Sequence, residues 1–174
     1  VDELHFGTRE AALQVVRECH KLGYRRPGLV VLRSHRERFH GRWDGGIVMS
    51  RHLLPGVRPV ESLLLESWDD LAPVAAWLKR HRPDVIISPS ADVLLAHLKR
   101  LKRAVPRDIG LASLACPRPG DTLSGICQNG TLIGATGMDT LISMLERNER
   151  GLPAQAQTVM VEGVWNPGRT LRGP

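Results

Sequence analysis

Residues 84–114 read DVIISPSADVLLAHLKRLKRAVPRDIGLASL. Asp84-Val85-Ile86-Ile87-Ser88 predicts a short buried strand, Asp92–Arg103 a helix, and Ile109–Leu114 a second strand. The strand segments are continuously apolar rather than alternating. A strand has that pattern when both of its faces are covered. A helix between two such strands returns the chain to begin a parallel neighbour.

The same alternation extends in both directions. Upstream, residues 8–22 space Ala12, Val15, Val16, Cys19 and Leu22 as one helical face, with Gly23 as the stop. Pro27 leads into the apolar run Gly28–Leu32. Residues 36–53 predict a helix interrupted by Gly41, Gly45 and Gly46, followed by a strand over Val60–Leu65. Trp68-Asp69-Asp70 introduces a helix to about His81, with Pro73 tolerated in its first turn. Downstream, a Pro- and Gly-containing loop at 115–122 precedes a short strand, Ser124–Cys127. A long helix over 131–148 aligns Leu132, Ala135, Met138, Leu141, Ile142 and Leu145. Thr158–Glu162 predicts a last strand and 164–172 an irregular tail. The fold class is therefore α/β, a doubly wound parallel sheet covered on both faces.

Composition fits one globular domain, or a little more. The chain has 174 residues, 42% hydrophobic and 24% charged, against ~150 residues per domain. Apolar runs such as Leu29–Leu32 fall far short of the ~18 residues of a membrane span. Cys19, Cys116 and Cys127 are odd in number and widely spaced, with no CxxC pair, so they read as reduced thiols of a cytoplasmic protein. Lys and Arg outnumber Asp and Glu by 24 to 18, a net charge of +6. The excess gathers at two predicted helix ends: Lys79, Arg80 and Arg82, then Lys99, Arg100, Lys102 and Arg103. Cations there offset the negative end of a helix dipole. Aromatic residues make up only 4%, which argues against a base-stacking surface.

Motifs for common chemistry are missing. There is no GxxxxGK[ST] loop, GxGxxG, GxSxG or HExxH, and no histidine pairs with a second ligand at metal spacing. The sequence predicts no catalytic residue, no metal and no cofactor. A doubly wound sheet binds its ligands outside the carboxyl ends of its strands. Here those positions are Ser34–Arg38, Glu66–Trp68, Ser88–Ser90, Ala115–Pro117 and Gln128-Asn129. Arg38 can donate a bidentate fork to hydroxyls or a carboxylate. Trp68 can stack on the apolar face of a sugar ring. Ser34, Ser90 and Gln128 can donate or accept hydrogen bonds. Taken singly, each has a plain structural explanation: a capped helix face, a core aromatic, a loop amide. Their shared edge points to a ligand cleft.

Several stretches carry a family resemblance. Leu22-Gly23-Tyr24-Arg25-Arg26-Pro27, Ser34-His35-Arg36-Glu37-Arg38-Phe39-His40-Gly41, Arg82-Pro83-Asp84-Val85-Ile86 and Val105-Pro106-Arg107-Asp108-Ile109-Gly110-Leu111 come in order. Gln128-Asn129 with Gly134 and Asp139, then Arg147–Pro153, complete the set. Together they resemble the sensor domain of lactose-repressor (LacI) type transcription regulators, whose fold is periplasmic-binding-protein-like.

The resemblance implies one full subdomain plus part of a second. Residues 1–26 would belong to the N-terminal subdomain, 27–126 to the C-terminal one, 127–155 would return to the first, and 156–174 would end the second. It implies a small sugar-like effector in the cleft, operator DNA bound through a headpiece absent from this chain, and a cytoplasmic homodimer away from any membrane. It implies that Arg38 clamps the ligand, that Trp68 stacks on it, and that Gln128 sits at the crossover. Ser90 stands where the family usually has asparagine, and Ala115 where it usually has a hydroxyl-accepting aspartate. A solute receptor of a sugar transporter and a sensor fused to an AraC-type domain remain open, as does a doubly wound enzyme, for which no base or cofactor motif is seen. The same resemblance predicts that the stripes of 8–22 and 131–148 both lack the sheet they would cover.

Overall fold

The computed structural model describes residues 3–6, 8–70, 72–151 and 158–173. Its elements are β1 (Glu3–Phe6), α1 (Thr8–Lys21), β2 (Pro27–Leu32), α2 (Arg33–Arg38), α3 (Arg42–Leu53), β3 (Leu63–Leu65) and α4 (Ala72–His81). They continue with β4 (Val85–Ser88), α5 (Ala91–Arg100), β5 (Gly110–Cys116), β6 (Ser124–Cys127), α6 (Gly130–Glu146), β7 (Thr158–Val161) and β8 (Val164–Asn166).

Six strands form one sheet in the order β3-β2-β4-β5-β6-β8. All neighbours are parallel except β6 and β8. Side chains of the central strands alternate between two cores, as a sheet covered on both faces requires. Leu29, Val31, Val85, Ile87, Ala112 and Leu114 face α1 and α3. Val30, Ile86 and Leu111 face α4 and α5. Leu114 and Cys116 would share a face in a regular strand, yet they lie in different cores. A register shift between Ser113 and Cys116 inserts the extra residue that turns Cys116 to the other side.

The helix expected over 36–53 is two helices. His40 and Gly41 both take left-handed backbone, with φ of 49° and 64°, and a right-handed helix cannot pass through them. Five residues beyond the break, Gly46 faces α1 so closely that an added Cβ would lie 2.5 Å from the Arg9 carbonyl oxygen. Its missing side chain lets α3 cross α1 at backbone contact.

Two expectations about the ends of the chain change. Glu3–Phe6 is a strand, β1, and it pairs in parallel with β7 as a separate two-stranded sheet. The tail is not wholly irregular, because β8 adds antiparallel to β6. Beyond β8, Thr170 sits in the centre of a hydrogen-bond knot. Its hydroxyl donates to the Leu111 carbonyl (2.6 Å) and accepts from the Ser124 amide (2.8 Å). Its amide donates to Ser124 Oγ (3.1 Å), and its carbonyl accepts from the Leu111 amide (2.9 Å). Two residues later the Arg172 amide donates to Tyr24 Oη (3.0 Å), and the guanidinium lies over the Tyr24 ring. The chain end thereby ties β5 and β6 to the turn after α1.

The two apolar stripes part company. Ala12, Val15, Val16 and Cys19 of α1 are fully buried against the six-stranded sheet and α3. The expectation that α1 lacks a sheet is corrected: residues 8–21 pack with β5 and β6 of this chain, not with a sheet built elsewhere. On α6, Leu132, Met138, Leu141, Ile142 and Leu145 are 48–67% exposed. That helix touches β1 but has no sheet over its apolar face among the described residues.

Thr170→Val keeps the shape of the side chain but strands the Ser124 amide and the Leu111 carbonyl in a buried site. Leaving such groups unpaired costs about 1–3 kcal/mol. Urea unfolding of this variant is expected to show a loss in that range with an unchanged m-value. A change below about 0.5 kcal/mol would show that the knot does not hold the tail.

Candidate functional site

Chain order reverses between β2 and β4. The chain leaves β2 for β3 on one side, then crosses to β4 on the other. The loops after the five parallel strands all open along this carboxyl edge. The crevice at such a reversal is where doubly wound sheets take their ligands.

The rim is built from repeated local devices. Ser88 ends β4, its cross-strand partner Ser113 lies mid-β5 where the register shift begins, and both are buried. Each hydroxyl accepts the amide two residues on, from Ser90 and Ala115 respectively, both at 3.1 Å. Such serine turns close the backbone of a strand end without a longer loop. Gln128, just past β6, donates its side-chain amide to the Leu114 carbonyl (3.4 Å) and so lies against the end of β5. Ser90, Ala115 and Gln128 are thus half-buried neighbours along the rim of the central strands.

The other sequence candidates lie further out. Ser34 is exposed on α2, which begins directly after β2. Arg38 closes α2, exposed, with its guanidinium 5.6 Å from the Phe39 ring centre. Phe39 in turn packs on Trp43, with ring centres 4.5 Å apart, at the edge of the α1–α3 core. Trp68 is half-buried on the other layer, where it meets His97 edge-to-face at 6.0 Å. His97 is six residues into α5, about 9 Å along its axis at 1.5 Å per residue. Trp68 therefore lies partway along α5, against its buried face. The structure groups Ser90, Ala115 and Gln128, and it sets Arg38 and Trp68 against opposite faces of the sheet.

Two features went unseen in the sequence. Arg33 donates Nε to Glu66 Oε1 at 2.7 Å, bridging the exits of β2 and β3. The pair is water-exposed, and its local signal in the sequence is nil because the partners are 33 positions apart. Buried ring nitrogens are the other: Nδ1 of His35 and of His97 have no hydrogen-bond partner among the described residues. Between Arg118, Asn129, Thr131 and Val164 lies a cavity of about 180 Å³, beside Gln128.

The thiols are not nucleophiles at neutral pH. Cys116 and Cys127 are register partners facing the α5 core, and burial pushes Cys116 up to about 12. Burial raises Cys19 and Cys127 as well. A buried thiol that stays protonated is inert. Among the described residues no three His, Cys, Asp or Glu side chains cluster as metal ligands would. Among those residues no helix is long and apolar enough to cross a membrane.

No protein-family model matches the sequence, and no curated protein does. Solved structures do. A LacI family transcriptional regulator from Silicibacter pomeroyi superposes over 97% of this chain and 53% of its own, with a TM-score of 0.68 and 22% identity. A LacI-family regulatory protein from Corynebacterium glutamicum covers 98% of this chain and 67% of its own, with a TM-score of 0.73 and 19% identity. A LacI family regulator from Enterococcus faecium, with bound ribose, covers 97% and 66%, with a TM-score of 0.69 and 14% identity. The chain spans between about half and two thirds of the length of these proteins. It shares their mostly parallel α/β fold over nearly its whole length, in line with the fold read from the sequence.

Burial, with Arg100 nearby, holds the His97 imidazole below its ordinary value. The unfolded chain accepts that proton near ~6.5, whereas the folded chain resists it. Stability is then fully present above that value and falls as pH drops through it. The urea midpoint is expected to drop more between about pH 7.5 and about pH 5 for the native chain than for His97→Phe. Equal drops would show that His97 is not the group that resists the proton.

Proposed function

We propose that this chain is the effector-sensing part of a LacI-type transcriptional regulator and not an enzyme. One observation carries this reading. The exits of five parallel strands form one rim at the topological switch between β2 and β4, in a fold shared with such regulators over nearly the whole chain. A rim of this kind is one wall of a ligand cleft, and a second wall completes it.

In this reading the six-stranded sheet with α1–α5 is the C-terminal subdomain. The β1–β7 sheet and α6 belong to the other subdomain, whose remaining strands cover the exposed stripe of α6. The chain passes between the two from β1 to α1, at Gln128-Asn129 and at Glu162-Gly163, short links on which two walls can close. A small effector with hydroxyl groups lies on Ser90, Ala115 and Gln128. Arg38 and Trp68 enter from the α2 side and the α5 side, with Ser34 at the start of α2. Binding better to the closed than to the open arrangement, the effector shifts their populations. That shift couples to operator DNA held by a headpiece outside this chain, in a cytoplasmic homodimer.

The sugar-like character of the effector rests on the rim's hydroxyl and amide groups and on the ribose held by one structural neighbour. The missing carboxylate at Ala115 weakens the rim for a neutral sugar. Each charge-assisted hydrogen bond is worth about 1.5–3 kcal/mol. Ala115→Asp is therefore expected to tighten binding of a neutral aldopentose or aldohexose about tenfold or more in calorimetric titration. Arg38→Ala and Gln128→Ala are expected to weaken it. A panel of sugars that none of these variants binds differently from the native chain would overturn the assignment of the rim.

A further inference from the structure

The amino-terminal edge of the same sheet, opposite the effector rim, holds a cavity of about 360 Å³. Leu78, Pro83 and Ile109 wall it, and Lys79, Arg82 and Arg103 line its mouth from the ends of α4 and α5. That volume lies in the range of small-molecule sites. We propose that this cavity binds a small phosphorylated anion, at a site separate from the effector rim.

The cations exceed what the helix ends need. The C-termini of α4 and α5 carry roughly half a negative charge each. Lys79, Arg80, Arg82, Lys99, Arg100, Lys102 and Arg103 stand against them. Moreover, the last carbonyl of α4 and the one just past it are already served by another residue. Arg26 donates to the His81 carbonyl (2.6 Å) and to the Arg82 carbonyl (3.0 Å). No hydrogen bond or ion pair among the described residues holds the side-chain heads of Lys79, Arg82 or Arg103.

The nearby carboxylates are spoken for. Asp84 accepts the amides of Arg25 (2.6 Å) and Arg26 (2.8 Å). Asp108, which also lines the cavity, accepts the Ala104 amide (2.8 Å) and Arg107 Nε (3.0 Å). Those bonds, with smaller contributions from the charges of Arg107 and Arg103, hold its carboxyl below the usual range, so it stays ionised and bound to Arg107 while partly offsetting Arg103. Arg82 and Lys102 also keep left-handed backbone, with φ of 47° and 55°, at turn positions where glycine is the usual choice. Three cationic side chains lining one concave space is an arrangement suited to phosphate oxygens. Concavity and a near absence of aromatics favour a small ligand over a nucleic acid, which needs an extended tract and stacking faces.

Pyrophosphate is the probe. Calorimetric titration of the native chain is expected to show saturable one-to-one binding that weakens as salt is raised. The double reversal Arg82→Glu with Arg103→Glu is expected to lower affinity at least tenfold. Arg17→Glu with Arg51→Glu, the same charge change on α1 and α3, is expected to change it less than threefold. Circular dichroism melts confirm that each variant is folded, and the milder Lys79→Ala with Arg103→Ala is the second test should the reversal unfold. No binding by the native chain would overturn the proposal, as would equal loss in both double variants. A 20-base-pair duplex that binds at this edge and is not displaced by pyrophosphate would overturn it in favour of nucleic acid.

Discussion

A parallel sheet with both faces buried is the constraint on which everything else in this molecule depends. Strands such as Val85–Ser88 have no polar side to give to water, and all four of their residues are buried. Helices must therefore lie on both layers: α1 and α3 on one, α4 and α5 on the other. Parallel pairing then obliges each connection to cross from the carboxyl edge back to the amino edge. The exits of the five parallel strands fall on one rim, and the ends of α4 and α5 fall on the other. Ser90, Ala115 and Gln128 owe their nearness to that rule, and so do Lys79, Arg82 and Arg103 on the far side.

The tail closes the sheet in a way that its sequence conceals. β8 covers the free edge of β6, and Thr170 supplies four hydrogen bonds to Leu111 and Ser124. Asn166 adds its own, donating to the carbonyls of Asp121 (2.9 Å) and Leu123 (2.6 Å) and accepting the Gly120 amide (2.9 Å). These are short polar residues in a Pro- and Gly-bearing stretch, with no periodicity to advertise them. Their partners lie more than 40 positions away, so only the folded chain pairs them.

The two long apolar stripes show how identical sequence patterns reach opposite fates. α1 and α6 both repeat apolar residues at helical spacing. α1 finds β5, β6 and α3 and buries its stripe, helped by the bare backbone at Gly46. α6 meets β1 and, through Ile133, the rim of the α1–α3 core, and keeps Leu145 two-thirds exposed. Burying a large aliphatic side chain is worth about 1.5–3 kcal/mol, so the more apolar α6 is the helix that leaves the larger gain unrealised among the described residues.

The sequence by itself determined the fold class, because continuous apolar strands alternating with amphipathic helices have few other ways to bury their surface. It also located the edge on which the parallel strands end, since that edge follows from parallel pairing alone. Helix spacing revealed both apolar stripes. Tertiary structure alone decided which stripe is covered, that Trp68 leans on His97 while Arg38 lies over Phe39, and that Arg26 caps α4 and frees the cations beside it. Local pattern reports which face of an element is apolar. It does not report which distant residue arrives there, because that depends on the crossing of whole layers and on backbone turns such as His40-Gly41.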